Sequence, residues 1–142
     1  MYMNKQINMS ISTNLNPVSE RPALTIIKGS RQFIKLLVST LDSTHVIDVH
    51  DILFIKAESS YSYIHLCEGK TIFSSKPMAY YWTKLIATNL FVRIHQSYTV
   101  NIEQIEEWHA EKGVILKHSS INLPVARRRS KELKNLLEQK CL

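Results

Sequence analysis

The stretch Phe91-Val-Arg-Ile-His-Gln-Ser-Tyr-Thr-Val-Asn101 decides the reading of this chain. Phe91, Val92 and Ile94 are apolar and belong in a core. Arg93, His95, Gln96, Ser97, Tyr98 and Asn101 carry donors and acceptors, most of them suited to a phosphate or a base edge. A short strand can separate two such sets, burying one and presenting the other. Packing alone does not call for so varied a polar set. A second reading stays open on residue types alone: a strand and turn whose polar groups satisfy one another.

On the N-terminal side, Asp51-Ile-Leu-Phe-Ile-Lys-Ala predicts a core strand, because a continuous apolar run is usually buried on both faces. Residues 33–40 and 46–49 predict a strand and its return. Glu58-Ser-Ser is a loop. Residues 61–67 alternate, with Tyr61, Tyr63, His65 and Cys67 on one face and Ser62, Ile64 and Leu66 on the other. Glu68-Gly69 predicts a tight turn into a strand at 70–74. Pro77 suits the start of a helix carrying Met78, Tyr81, Trp82, Leu85 and Ile86 at helical spacing, closed by Asn89.

On the C-terminal side, residues 102–109, 114–117 and 121–125 predict three more strands, and a helix runs from Arg127 with Leu133, Leu136 and Leu137 on one side. The sum is a mainly β, antiparallel, short-strand domain, meandering in order, with one or two short helices. Residues 1–22, rich in Asn and Ser, predict a flexible N-terminal tail, and residues 24–27 a short strand or turn.

Three motifs in order carry a family resemblance. Arg93-x-His-x-Ser-Tyr-x-Val-Asn101 followed by Ile105 resembles the signature of LytTR-type DNA-binding domains of bacterial transcription regulators. The segment Asp51-Ile-Leu-Phe-Ile-Lys-Ala-Glu-Ser-Ser-Tyr-Ser-Tyr-Ile64 is similar to that family's first motif, and Leu123-Pro-Val-Ala-Arg-Arg-Arg129 to its closing one. The match spans residues 35–137 and implies that residues 23–142 form one LytTR-type domain. Gln96 stands where the family often has a basic residue, a departure that bears on base preference. The resemblance implies that Ser59, Ser60 and Tyr61 reach a groove of the duplex and that Gln96 and Arg127 contact bases. It also implies that such proteins occupy direct repeats, two copies in succession, bending the DNA. A homodimer on DNA is therefore expected.

Charge agrees. Eighteen Lys and Arg against twelve acids give +6, and the excess lies in the half after residue 71. A basic half suits a polyanion: DNA, RNA or an anionic membrane surface. Arg127, Arg128, Arg129 and Lys131 sit beside a helix start, where the macrodipole disfavours cations, so phosphate or guanine is a better reason for them than helix stability. A solvated charged surface is the alternative. Arg93 reads either as a DNA contact or as a structural partner of a carboxylate such as Glu58. Asn101 reads either as a base reader or as a buried brace for its loop.

Other functions find less support. Cys67 and Cys141 make no disulfide framework, so a reducing cytoplasm is expected. The N-terminus lacks the order of a secretory signal, and no apolar run approaches the ~20 residues that span a bilayer. The six histidines show no paired metal-ligand spacing, so no metal or cofactor is expected. No nucleophile elbow or phosphate loop appears, so the chain is not read as an enzyme. The segment before residue 35 is too short for a phosphoacceptor receiver. The expectation is therefore a stand-alone transcriptional regulator that binds double-stranded DNA sequence-specifically. The alternative is a protein-interaction module of the same fold that regulates another factor without binding DNA.

Overall fold

The computed structural model describes residues 34–142. The expectations for residues 1–22 and 24–27 lie outside them. Strands β1 (Lys35–Ser39) and β2 (Thr44–Asp48) form a two-stranded antiparallel ribbon. Asp48 ends β2 by accepting a hydrogen bond from the His50 amide, which starts a 3-10 turn at Val49–Asp51. The chain then enters β3 (Ile52–Glu58), turns at residues 59–60 into β4 (Tyr61–Leu66) and returns as β5 (Thr71–Ser74).

Helix α1 (Met78–Leu85) follows, with Pro77 as its extended N-cap. A 3-10 turn at Ile86–Thr88 ends on Asn89, whose left-handed φ of 59° closes the helix as the sequence predicts. The deciding stretch then folds as a hairpin, β6 (Phe91–His95) and β7 (Tyr98–Asn101) around Gln96 and Ser97. Strands β8 (Ile105–His109), β9 (Gly113–Leu116) and β10 (Asn122–Leu123) form a three-stranded sheet, and α2 (Arg127–Lys140) ends the chain.

The five central strands are antiparallel in the order β5-β4-β3-β7-β6. A plain meander is thus broken once: β7, not β2, lies beside β3. Ile55, Ile64 and Ile72 are cross-strand neighbours on one face and pack with Leu36, Val38, Met78, Tyr81 and Leu85 from the ribbon and α1. Phe54, Val100 and Val92 align on the other face and pack with Val114, Leu116, Leu123 and Leu133 from the small sheet and α2. Two covered faces explain the unbroken apolar run of β3. A register shift between Ile52 and Phe54 places Leu53 and Phe54 in the same core.

Candidate nucleic-acid interface

Strand polarity decides where the polar residues meet. β3 runs into the turn at residues 59–60, and β6 runs into the turn at residues 96–97. Because β7 pairs antiparallel with β3, with Lys56 opposite Tyr98, both turns lie at the same end of the central sheet. The Ala57 amide donates to the Ser97 carbonyl at 2.8 Å and ties them together. The Ala126 amide donates to the Ile94 carbonyl at 2.7 Å, which brings the first turn of α2 to the same end of β6. Three segments far apart in the chain therefore converge.

At this end Ser59, Ser60, Tyr61, Gln96, Arg127, Arg128 and Lys131 are exposed. Ser59 adopts a left-handed φ of 56°, which makes the first turn tight. Tyr61 leans on Phe73, their rings 5.3 Å apart. In the second turn, His95 Nδ1 accepts a hydrogen bond from the Ser97 amide at 3.1 Å, so His95 shapes the hairpin as well as lining it. Its ring lies 5.8 Å from that of Tyr98, which is half-buried. Gln96 is left at the tip.

Two readings need correction. Asn101 is fully buried: its Nδ2 donates to the Ile52 carbonyl at 2.8 Å, and its Oδ1 accepts from the Glu103 amide at 2.9 Å. It braces the β7–β8 junction and is no base reader. Arg93 is not the partner of Glu58, which pairs with Lys56 at 3.7 Å. Arg93 instead donates from Nη2 to the Gln96 carbonyl at 3.3 Å. Burial, then the charges of Arg129 and Arg128, hold its pKa below the usual guanidinium value, although it stays charged at any physiological pH. Arg129 is partly buried, with Nη1 3.7 Å from Glu132.

α2 begins at Ala126 without a side-chain cap, and its first turn holds no acid. Leu133, fully buried, anchors the helix while Arg127, Arg128 and Lys131 stay outside. One cation escaped the sequence reading. Lys76 belongs to this end as well, because Ser62, at the start of β4, donates to its carbonyl at 2.7 Å. The only sequence signal for Lys76 was its place before Pro77, and that signal says helix start rather than position in space.

The interface is thus a mainly β scaffold presenting two turns and a helix start, all polar or cationic, at one end of a rigid sheet. The chain belongs to the LytTr DNA-binding domain family, which matches residues 42–138. It is similar to the sensory transduction protein LytT of Bacillus subtilis (strain 168), at 29% identity over 107 residues, 72% of this chain. The chain spans 43% of the length of that relative. A solved LytTr DNA-binding domain from Bacillus cereus shares the fold, with a TM-score of 0.61 and 18% identity over 72% of this chain and 95% of that one. Membership carries DNA binding in transcription regulation, and the family is non-catalytic. Among the described residues, no helix is long and apolar enough to cross a membrane.

Proposed function

We propose that this domain binds double-stranded DNA sequence-specifically, reading bases with Gln96 and Arg127 and gripping the backbone with Arg128, Arg129 and Lys131. The convergence of the two turns and the α2 start at one end of the sheet carries this reading. Ser59, Ser60 and Tyr61 approach the same groove from the first turn, with His95 and Ser97 supporting the second. Gln96 pairs with adenine and Arg127 with guanine, each in bidentate geometry. Two copies occupy direct repeats in succession.

Gel-shift titrations on a selected duplex and a scrambled one test the assignment. Gln96→Ala and Arg127→Ala each lose about 1–3 kcal/mol of discrimination. Arg128→Ala weakens both duplexes alike. Equal losses on both duplexes for all three variants would make the contacts non-specific. The 142 residues bind without a phosphodonor in this reading, and a requirement for one would contradict autonomous action.

The exposed Leu37, Leu41 and Val46 of the β1–β2 ribbon favour a second reading, a protein-interaction module. No duplex affinity at any salt concentration, together with a stable complex with another factor, would select it.

A further inference from the structure

A groove of about 430 Å³ opens on the face of the central sheet that carries the second core, where that core runs out. Register brings its wall together. Lys56 lies opposite both Tyr63 and Tyr98, and Phe54 lies opposite His65, so these side chains stand on one face. Glu58, two residues beyond Lys56, joins them, and residues 121–123 form the facing wall. The aromatic wall is set before anything binds. His65 stacks on Phe54 with the ring planes 13° apart, Tyr98 leans on Phe54 at 6.0 Å, and Tyr63 packs on Phe73 at 5.3 Å.

The fold leaves polar atoms of this groove unused. His65 Nδ1 meets Thr71 Oγ1 at 3.1 Å, but its Nε2 and the hydroxyls of Tyr63 and Tyr98 have no hydrogen-bond partner among the described residues. Lys56 and Glu58 face each other loosely at 3.7 Å, 41% and 59% exposed, and their charges cancel. Burial, then Lys56, lowers the His65 pKa, so that ring is neutral at neutral pH. An anion would meet Glu58 and a cation would meet Lys56, so the groove suits an uncharged occupant. Flat aromatic walls select a flat one. Donors and acceptors side by side select a ligand whose edge offers both. The volume lies within the range of small-ligand sites and leaves room for a fused-ring base and its sugar.

We infer that this groove binds a purine nucleoside, its base against the rings of Tyr63, His65 and Tyr98 and its edge between Lys56 and Glu58. Glu58 accepts from an amino group of the base and Lys56 donates to a neighbouring ring nitrogen or carbonyl, so the ligand bridges the loose ion pair. A free nucleoside and a purine in a single strand offer the same chemistry. A base inside a duplex does not, because its faces are stacked and its edge is paired. The site is therefore separate from the reading of duplex DNA and does not rest on it.

Calorimetric titration of the 142-residue protein tests the site, with adenosine as one probe and single-stranded oligo-deoxyadenylate as the other. The expected result is saturable binding of adenosine that Tyr63→Ala weakens about tenfold, by the loss of a stacking partner. Ile121→Trp fills the groove from the facing wall and lowers the affinity at least as much, which keeps the test decisive if Tyr63→Ala folds poorly. Binding of the oligonucleotide alone, weakened by the same substitutions, makes the occupant a purine of a single strand. No saturable binding of either probe at millimolar concentration overturns the site. So does binding that neither substitution weakens, which for the oligonucleotide is attraction to the basic surface and nothing more.

Discussion

At the scale of single residues, the side chains that hold the interface in place are more consequential for stability than those that line it. Asn101 uses both ends of its amide inside the protein. Asn101→Ala strands the Ile52 carbonyl and the Glu103 amide, at a cost of about 2–4 kcal/mol in denaturant unfolding. Asn101→Asp keeps the acceptor and loses the donor, so it is destabilising at neutral pH, and acid that protonates the new carboxyl restores part of the loss. A variant as stable as the parent would show that the bracing role is wrong. His65 supplies a pH test. It stacks on Phe54 with ring centroids 4.2 Å apart, and burial, then Lys56, lower its pKa. The unfolded chain therefore takes up this proton at a pH where the folded one does not. Stability contributed here is complete above the ordinary imidazole value and falls as pH drops through the window between the unfolded and the folded pKa. The slope of stability against pH in that window should be shallower for His65→Gln than for the parent. Equal slopes would contradict the cause given.

At the scale of elements, a small device recurs. Asp48 and Asn101 each end a strand, accept from the amide two residues on and start a 3-10 turn that delivers the next strand. The residues two beyond them, His50 and Glu103, pair at 2.9 Å, so the two junctions are pinned to each other. The sequence concealed these turns. Ile102 looks like the start of a strand by its apolar character, yet the Asn101 cap delays β8 to Ile105. Other elements were plain: the Ile52–Ile55 run, the helical spacing from Met78 to Leu85 and the Asn89 stop are local signals that tertiary packing reinforces. The placement of β7 beside β3 was not legible, since strand pairing over such a separation leaves no local mark. Convergence of residues 60, 96 and 127 was available only through the family motifs. Gly113 tests the small sheet. Its φ is +98°, and the Cβ of an alanine there would collide with the Leu123 carbonyl. Gly69 has the same φ with open space around it. Gly69→Ala should cost about 1–2 kcal/mol, the conformational term alone. Gly113→Ala should cost distinctly more and loosen the β9–β10 pairing, read as faster amide exchange in residues 113–116. Equal costs would mean that β10 yields freely.

At the scale of the whole described unit, the two cores have different tasks. One packs the ribbon and α1 under the central sheet, and the other seats α2 through Leu133. Leu133 is buried completely, so Leu133→Ala should cost about 2–5 kcal/mol and reduce DNA affinity by loosening the helix that carries the arginines. The proposed binding of two copies on one duplex gives a further test. If each copy grips phosphates from one side, as proposed, affinity falls steeply with salt as counterions are released. For neighbouring copies on direct repeats, helical phase decides whether they lie on the same side. B-DNA repeats every ~10.5 bp, so an insertion of about 5 bp between repeats moves the second copy to the opposite side, whereas about 10 bp restores it. If the copies touch or share a bend, the half-turn insertion lowers the affinity of the second copy and the full turn recovers it. If they bind independently, both insertions leave the two affinities equal in a footprinting titration. That result would reduce the homodimer on DNA to two separate monomers.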